Sequence, residues 1–199
     1  MQNKIALLLF LLIFSSSAQS QNGISEKSPQ AYLLSGGDAR PAVSRTRFVK
    51  SVSQNTAETP TGNSKTDFAL ELEVFELINR QRLENGLEPL EWSDQIAEMA
   101  RIHSANMANF KFFSHTDLDG ALVNDRADLL GIKKWRAIGE NIAYNRGYEN
   151  PAESAVERWM QSPSHRENLL NNRWKESGIG IAVTEDGTYY FTEVFLLRK

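Results

Sequence analysis

The C-terminal end of the chain constrains the fold most, because there the apolar pattern changes period. Gly178-Ile179-Gly180-Ile181-Ala182-Val183 and Tyr189-Tyr190-Phe191-Thr192-Glu193-Val194-Phe195-Leu196 are two strand-like runs joined through Glu185-Asp186-Gly187. Asp-Gly supplies the positive φ angles that a tight hairpin needs. Both runs are largely apolar on odd and even positions alike, so both faces of their sheet must be covered. Helices on either side of a small, mostly antiparallel sheet meet that demand most simply. The expected class is α+β, as a three-layer α/β/α sandwich.

The helices that would do the covering are legible upstream. Leu70, Val74, Leu77 and Ile78 recur at helical spacing, and Asn85-Gly86 follows as a stop. A second helix starts at Ser93, an N-cap candidate, and places Ile96, Ala100, His103, Met107 and Phe110 on one face. A third is expected over 121–130, closed by Gly131. Asn150-Pro151-Ala152-Glu153 opens a fourth, with a cap, a proline at the first position and a carboxylate at the third. Ala155, Val156, Trp159 and Met160 form its apolar face, and Ser162-Pro163 restarts the chain as a short helix to about Leu170.

Before residue 67 the composition differs. Lys4 precedes an unbroken apolar run from Ile5 to Phe14, and small residues follow, with cleavage sites after Ala18 or Ser20. A run that short makes a helix of roughly 15 Å, about half the hydrocarbon core, so residues 1–18 read as a signal peptide and no span remains after its removal. Residues 19–66 are rich in Ser, Thr, Gln, Asn, Gly and Pro and read as a flexible linker. The compact domain then occupies residues 67–199. The expected location is secreted or periplasmic.

Composition removes several function classes. With no cysteine there are no disulfides, thiolate metal sites, cysteine nucleophiles or lipid-accepting cysteines. A net charge of −3 carries no nucleic-acid footprint. The chain has three histidines, and their settings differ. His103 lies on the apolar face of the second helix and reads as a hydrogen-bonded core residue. His115 follows Phe112-Phe113-Ser114 and precedes a polar turn, which leaves it partly exposed with a ring free to aim. His165 sits in the first turn of the short helix, where the positive helix end favours neutral imidazole. Glu140 lies between Gly139 and Asn141 with Ile138 and Ile142 outside them; a carboxylate in an apolar segment needs a partner or a cavity. Asn141, Arg166 and Asn168 read as residues that secure their segments.

Phe-Ser-His at 113–115, Gly-Glu-Asn at 139–141, Trp159 followed by Ser162-Pro163-Ser164-His165-Arg166, Gly-Ile-Gly at 178–180 and the aromatic last strand occur in a telling order. Together they resemble the CAP superfamily, the SCP-like secreted proteins, in its compact bacterial form. The resemblance covers about residues 70–197. It implies a cavity lined by His115, Glu140 and His165. In animal and plant members a second acid follows the tryptophan by three residues; here that place holds Ser162, and Glu157 is a poor substitute on the other side of its helix. Bacterial members usually carry glutamine near Glu193, which is expected here to be a solvated strand residue.

The resemblance implies a secreted protein that binds an extracellular lipid, cell-surface or protein ligand as a monomer, with no required cofactor. Two imidazoles, a carboxylate and a water would suit a divalent cation such as zinc, with His115, His165 and Glu140 as ligands. The alternative is a protease-like hydrolase using the same cavity. Ser114, Ser162 and Ser164 each neighbour a site histidine in sequence, but none sits in a Gly-x-Ser-x-Gly elbow. Leu129, Leu130, Ile132 and Trp135 are expected to serve the core rather than a binding surface.

Overall fold

A computed structural model describes residues 25–26, 30–33 and 64–199. The segment read as a signal peptide and most of that read as a linker fall outside the described residues. Helix α1 (Ser64–Glu84) is followed by the short strand β3 (Glu91–Trp92) and helix α2 (Asp94–Phe110). Next come α3 (Val123–Leu129), β4 (Trp135–Arg146), α4 (Pro151–Gln161), α5 (Pro163–Leu169), β5 (Glu176–Val183) and β6 (Thr188–Arg198). Two short strands precede them, β1 (Ser25–Glu26) and β2 (Gln30–Leu33).

The sheet runs β1-β4-β6-β5-β3, with β2 also on β4. Every pair is antiparallel except β3 with β5. The hairpin expected from Asp186-Gly187 joins β5 to β6, with Gly187 at φ 77° and the Asp186 side chain accepting from the Thr188 amide. The mixed α+β sandwich is as the sequence leads one to expect.

Pleating divides the sheet into two interiors. On one face Ile138, Val194 and Leu196 meet Ile96, Met99 and Ala100 of α2 and Val123 and Ala127 of α3. On the other, Ala137, Ala143, Ile179, Phe191 and Phe195 meet Val74 and Ile78 of α1 and Ala155, Val156 and Trp159 of α4. Glu71 of α1 ties the layers together round the β5 edge: it takes Arg101 of α2 at 2.7 Å and the Ile181 amide at 3.3 Å.

Helix ends follow the local chemistry in most places. Gly86 closes α1 at φ 74°, and the Asn150 side chain accepts from the Glu153 amide at 3.1 Å. Ser93 is the N-cap residue of α2, yet its side chain makes no capping bond. Phe110, assigned to the apolar face, is 45% exposed.

Two findings depart from the sequence reading. Strand β4 was not legible as a strand, because Glu140, Asn141 and Asn145 put polar residues on both of its faces and erase the alternation. And Ser25–Glu26 and Gln30–Leu33, inside the segment read as linker, pair with the outer edge of β4. Edge pairing uses main-chain groups, which a periodicity reading does not see.

Candidate functional site

The loop after α2 carries His115 and is held by its own polar residues. Asp117 Oδ1 accepts from the amides of Asp119 and Ala121 at 2.9 and 2.8 Å, closing the turn. Arg126, on α3, then donates from Nη1 to the carbonyls of His115 and Ala121 at 2.8 and 3.1 Å. His115 is therefore buried, at 5% exposure, and not the loosely held loop residue that the polar turn suggests.

Its ring is fixed from below by β4. The Nδ1–H of His115 donates to Glu140 Oε1 at 2.7 Å, and Arg126 Nη2 donates to Glu140 Oε2. Glu140 and Arg126 are both at 0% exposure, so this is a buried ion pair extended by an imidazole. Burial would push the Glu140 carboxyl up, but the Arg126 guanidinium and the His115 hydrogen bond outweigh it and hold the group down at about 2. Glu140 is thus a fixed anion with both oxygens engaged, and not a base in waiting. In the neutral ring of His115 the proton lies on Nδ1. Nε2 is buried and without a hydrogen-bond partner among the described residues, and in that neutral tautomer it is an acceptor.

His165 belongs to a different environment. The pleat sends Gly139 and Asn141 to the face opposite Glu140: a Cβ on Gly139 would meet Trp174 and Asn168 at 2.9 and 3.0 Å. Asn141 Nδ2 donates to the His165 carbonyl at 3.3 Å, and Asn168 Nδ2 donates to Asn141 Oδ1 at 3.1 Å. These are the segment-securing roles read from the sequence for both asparagines. The His165 ring is buried, with Nδ1 at 2.7 Å from Ser162 Oγ, the residue that stands where the second acid would be. The Gly-Glu-Asn triplet therefore serves both sides of the sheet: Glu140 engages His115 and Asn141 engages the α5 backbone.

A divalent cation does not fit the donor set at Glu140. The carboxylate is occupied by a guanidinium and an imidazole N–H, and a metal placed there would adjoin a buried positive charge. Among the described residues no three His, Asp or Glu side chains gather so as to hold a metal ion.

His103 is the core residue expected. Its Nε2–H donates to the Ser114 carbonyl at 2.9 Å, and burial followed by the charge of Arg126 lowers it to about 3, so the ring is neutral. Glu193 is the reverse of its expectation: it is wholly buried, accepts from Ser177 Oγ at 3.2 Å, and burial raises its carboxyl well above the ordinary range. It looked solvated because the sequence does not show that α1 lies over that position. Leu130, Ile132 and Trp135 join the core, as read.

Arg126 is the functional residue that the motifs did not disclose. One local signal marks it: it lies three residues after Val123 and four before Leu130, on the apolar side of its helix. A charge at such a position announces a buried partner.

Comparison with known proteins agrees with this architecture. Residues 75–195 match the model of the Cysteine-rich secretory protein family, CAP. The chain is 38% identical over 128 residues to the uncharacterized membrane protein YlbC of Bacillus subtilis, an alignment covering 64% of this chain and 34% of that protein. It is 33% identical over 152 residues to the uncharacterized protein YkwD of the same organism, covering 71% of this chain and 57% of that one. The chain thus spans about a third of one curated relative and somewhat over half of the other. Among solved structures, an extracellular SCP-domain protein of Bacillus anthracis aligns with TM-score 0.60 and 27% identity, over 71% of this chain and 44% of that one. An outer surface protein of Borrelia burgdorferi shares the fold, with TM-score 0.59 and 24% identity, over 69% of this chain and 97% of that one. The family model spans most of the described domain and its relatives carry the same layered sheet, so this chain belongs to the cysteine-rich secretory protein (CAP) family.

Proposed function

We propose that the domain works outside the cytoplasm as a binding module, with His115 as the group that meets the ligand. The observation that carries this reading is the state of its ring: Nδ1 is committed to Glu140 and Nε2 is a buried acceptor with no hydrogen-bond partner among the described residues. A buried polar atom left unpaired is costly, so a ligand hydroxyl or N–H donor at that place gains free energy that water in bulk would not supply. The apolar export run at Ile5–Phe14 and the extracellular relative from Bacillus anthracis support a location outside the cytoplasm.

A hydrolase is the second reading, favoured by one observation. Glu140 orients His115 through Nδ1, as a carboxylate orients a catalytic base. Against it, no serine hydroxyl reaches Nε2: Ser114 Oγ accepts from the Thr116 amide, and Ser162 Oγ is paired with His165.

The experiment compares mature wild-type protein with His115→Ala. Both are titrated with palmitate, anionic phospholipid vesicles and soluble peptidoglycan fragments, and assayed against an unstructured peptide. The binding reading expects affinity for one of these classes that falls about tenfold or more in the variant, the scale of one lost hydrogen bond to a buried group. Equal affinity in both proteins for every class removes His115 as the contact. Peptide cleavage by wild type that is absent from folded Glu140→Gln establishes the hydrolase instead.

A further inference from the structure

We infer that Arg126 is the resident cation of this site, a specificity-determining residue whose guanidinium takes the place at Glu140 that a divalent metal would need. Three observations lead there, none of which depends on whether the binding reading above is right. Arg126 is fully buried and lies against Glu140 Oε2. It cannot swing away freely, because Nη1 is fixed by the carbonyls of His115 at 2.8 Å and Ala121 at 3.1 Å. The other carboxylate oxygen and the nearer ring nitrogen are used up by the 2.7 Å bond between His115 and Glu140.

Charge arithmetic then decides the matter. Glu140 and Arg126 sum to zero, and both lie out of water, where like charges repel far more strongly than at the surface. A metal would have to expel the guanidinium, which would leave a buried, uncompensated arginine, or sit beside it. A covalently held cation does for Glu140 what a bound metal would do, keeping the carboxylate ionised and placed under His115. It cannot be stripped by a chelator.

The test uses the full mature chain with zinc as the probe, read by calorimetry and by the side-chain nitrogen signals of His115. Wild type is compared with Arg126→Gln, which removes the charge, and Arg126→Lys, which keeps it without the planar fork. Wild type and Arg126→Lys are expected to show no zinc binding that involves His115. Arg126→Gln is expected to gain zinc affinity of at least tenfold over wild type, lost again when His115→Ala is added. A residue with a merely structural role would lower the melting temperature in both variants and admit zinc in neither. Two results overturn the inference: zinc binding by wild type that disappears in His115→Ala, or a folded Arg126→Gln protein with no more affinity for zinc than wild type. The wild-type arm stands by itself if Arg126→Gln fails to fold, and unchanged wild-type thermal stability in a chelator is the supporting result there.

Discussion

Two carboxylates buried in one sheet are shifted in opposite directions, Glu140 down and Glu193 up, and the cause is visible in their neighbours. Glu140 has a guanidinium and an imidazole N–H on its oxygens, whereas Glu193 has one hydroxyl, and its Oε2 has no hydrogen-bond partner among the described residues. Burial therefore wins at Glu193, despite the opposing charge of Arg82. Its folded-state pKa lies above the unfolded value of 4.5, so its contribution to stability is fully present below pH 4.5 and declines as pH rises. Glu193→Gln, a near-isosteric neutral residue, is accordingly expected to raise stability at neutral pH, by a margin that grows as pH rises from 4.5 toward neutrality; urea melts at several pH values would measure it. A margin that stays flat across that range would mean that Glu193 is ionised. Glu140→Gln is expected to do the reverse and cost roughly 3 kcal/mol, because it leaves Arg126 as a buried charge without its counterion. A loss under about 1 kcal/mol in the same melts would show that Arg126 finds another acceptor.

The decisive contact between elements is the seat of α2 on β5. Gly178 and Gly180 present no side chain to the helix, and a Cβ built on them would meet backbone atoms of Ala97 and Arg101 at 2.2 and 2.0 Å. Backbone cannot yield as the end of a flexible side chain can. Gly180→Ala is thus expected to push α2 from the sheet at a cost of about 3 kcal/mol, the upper end for overpacking. The displacement would carry the His115 loop with it, since that loop leaves the end of α2. Hydrogen exchange is the direct measurement, with faster exchange over 94–110 in the variant and little change in α4. Uniform exchange across both helices would place the cost elsewhere.

For the molecule as a whole, acid is the expected route of unfolding. His103 is lowered from 6.5 to about 3 by burial, so the unfolded chain takes up a proton that the native state refuses, and its contribution to stability falls as pH drops below 6.5. Glu140 is lowered from 4.5 to about 2, which keeps its contribution intact above pH 4.5 and removes it between 4.5 and 2. The His103 loss therefore begins first and overlaps that of Glu140 below pH 4.5, and in His103→Gln the loss from these two groups is expected to begin only near pH 4.5. Circular dichroism against pH for both proteins checks this, and coincident curves would deny His103 its part. A thiol reductant, by contrast, should leave the melting temperature unchanged, because a chain without cysteine has no disulfide to reduce.

Much of this was local enough to be read from the chain. Apolar spacing placed α1, α2 and α4, Gly86 and Asn150 marked helix ends, Asp186-Gly187 marked the hairpin, and the two-sided apolar strands required cover on both faces. His115 and Glu140 stood out because a histidine in a polar turn and a carboxylate between isoleucines are locally conspicuous. What packing alone decided is of another kind. That Arg126 lies on Glu140, that Asn141 turns away from Glu140 to the α5 side, that Glu193 is buried and that main-chain edges take up Ser25–Glu26 and Gln30–Leu33 are all facts about neighbours distant in sequence. Period and capping express interactions within a few residues, which the chain states directly. A polar side chain reads as solvated until the surface opposite it is known, and that surface exists only once the layers have closed.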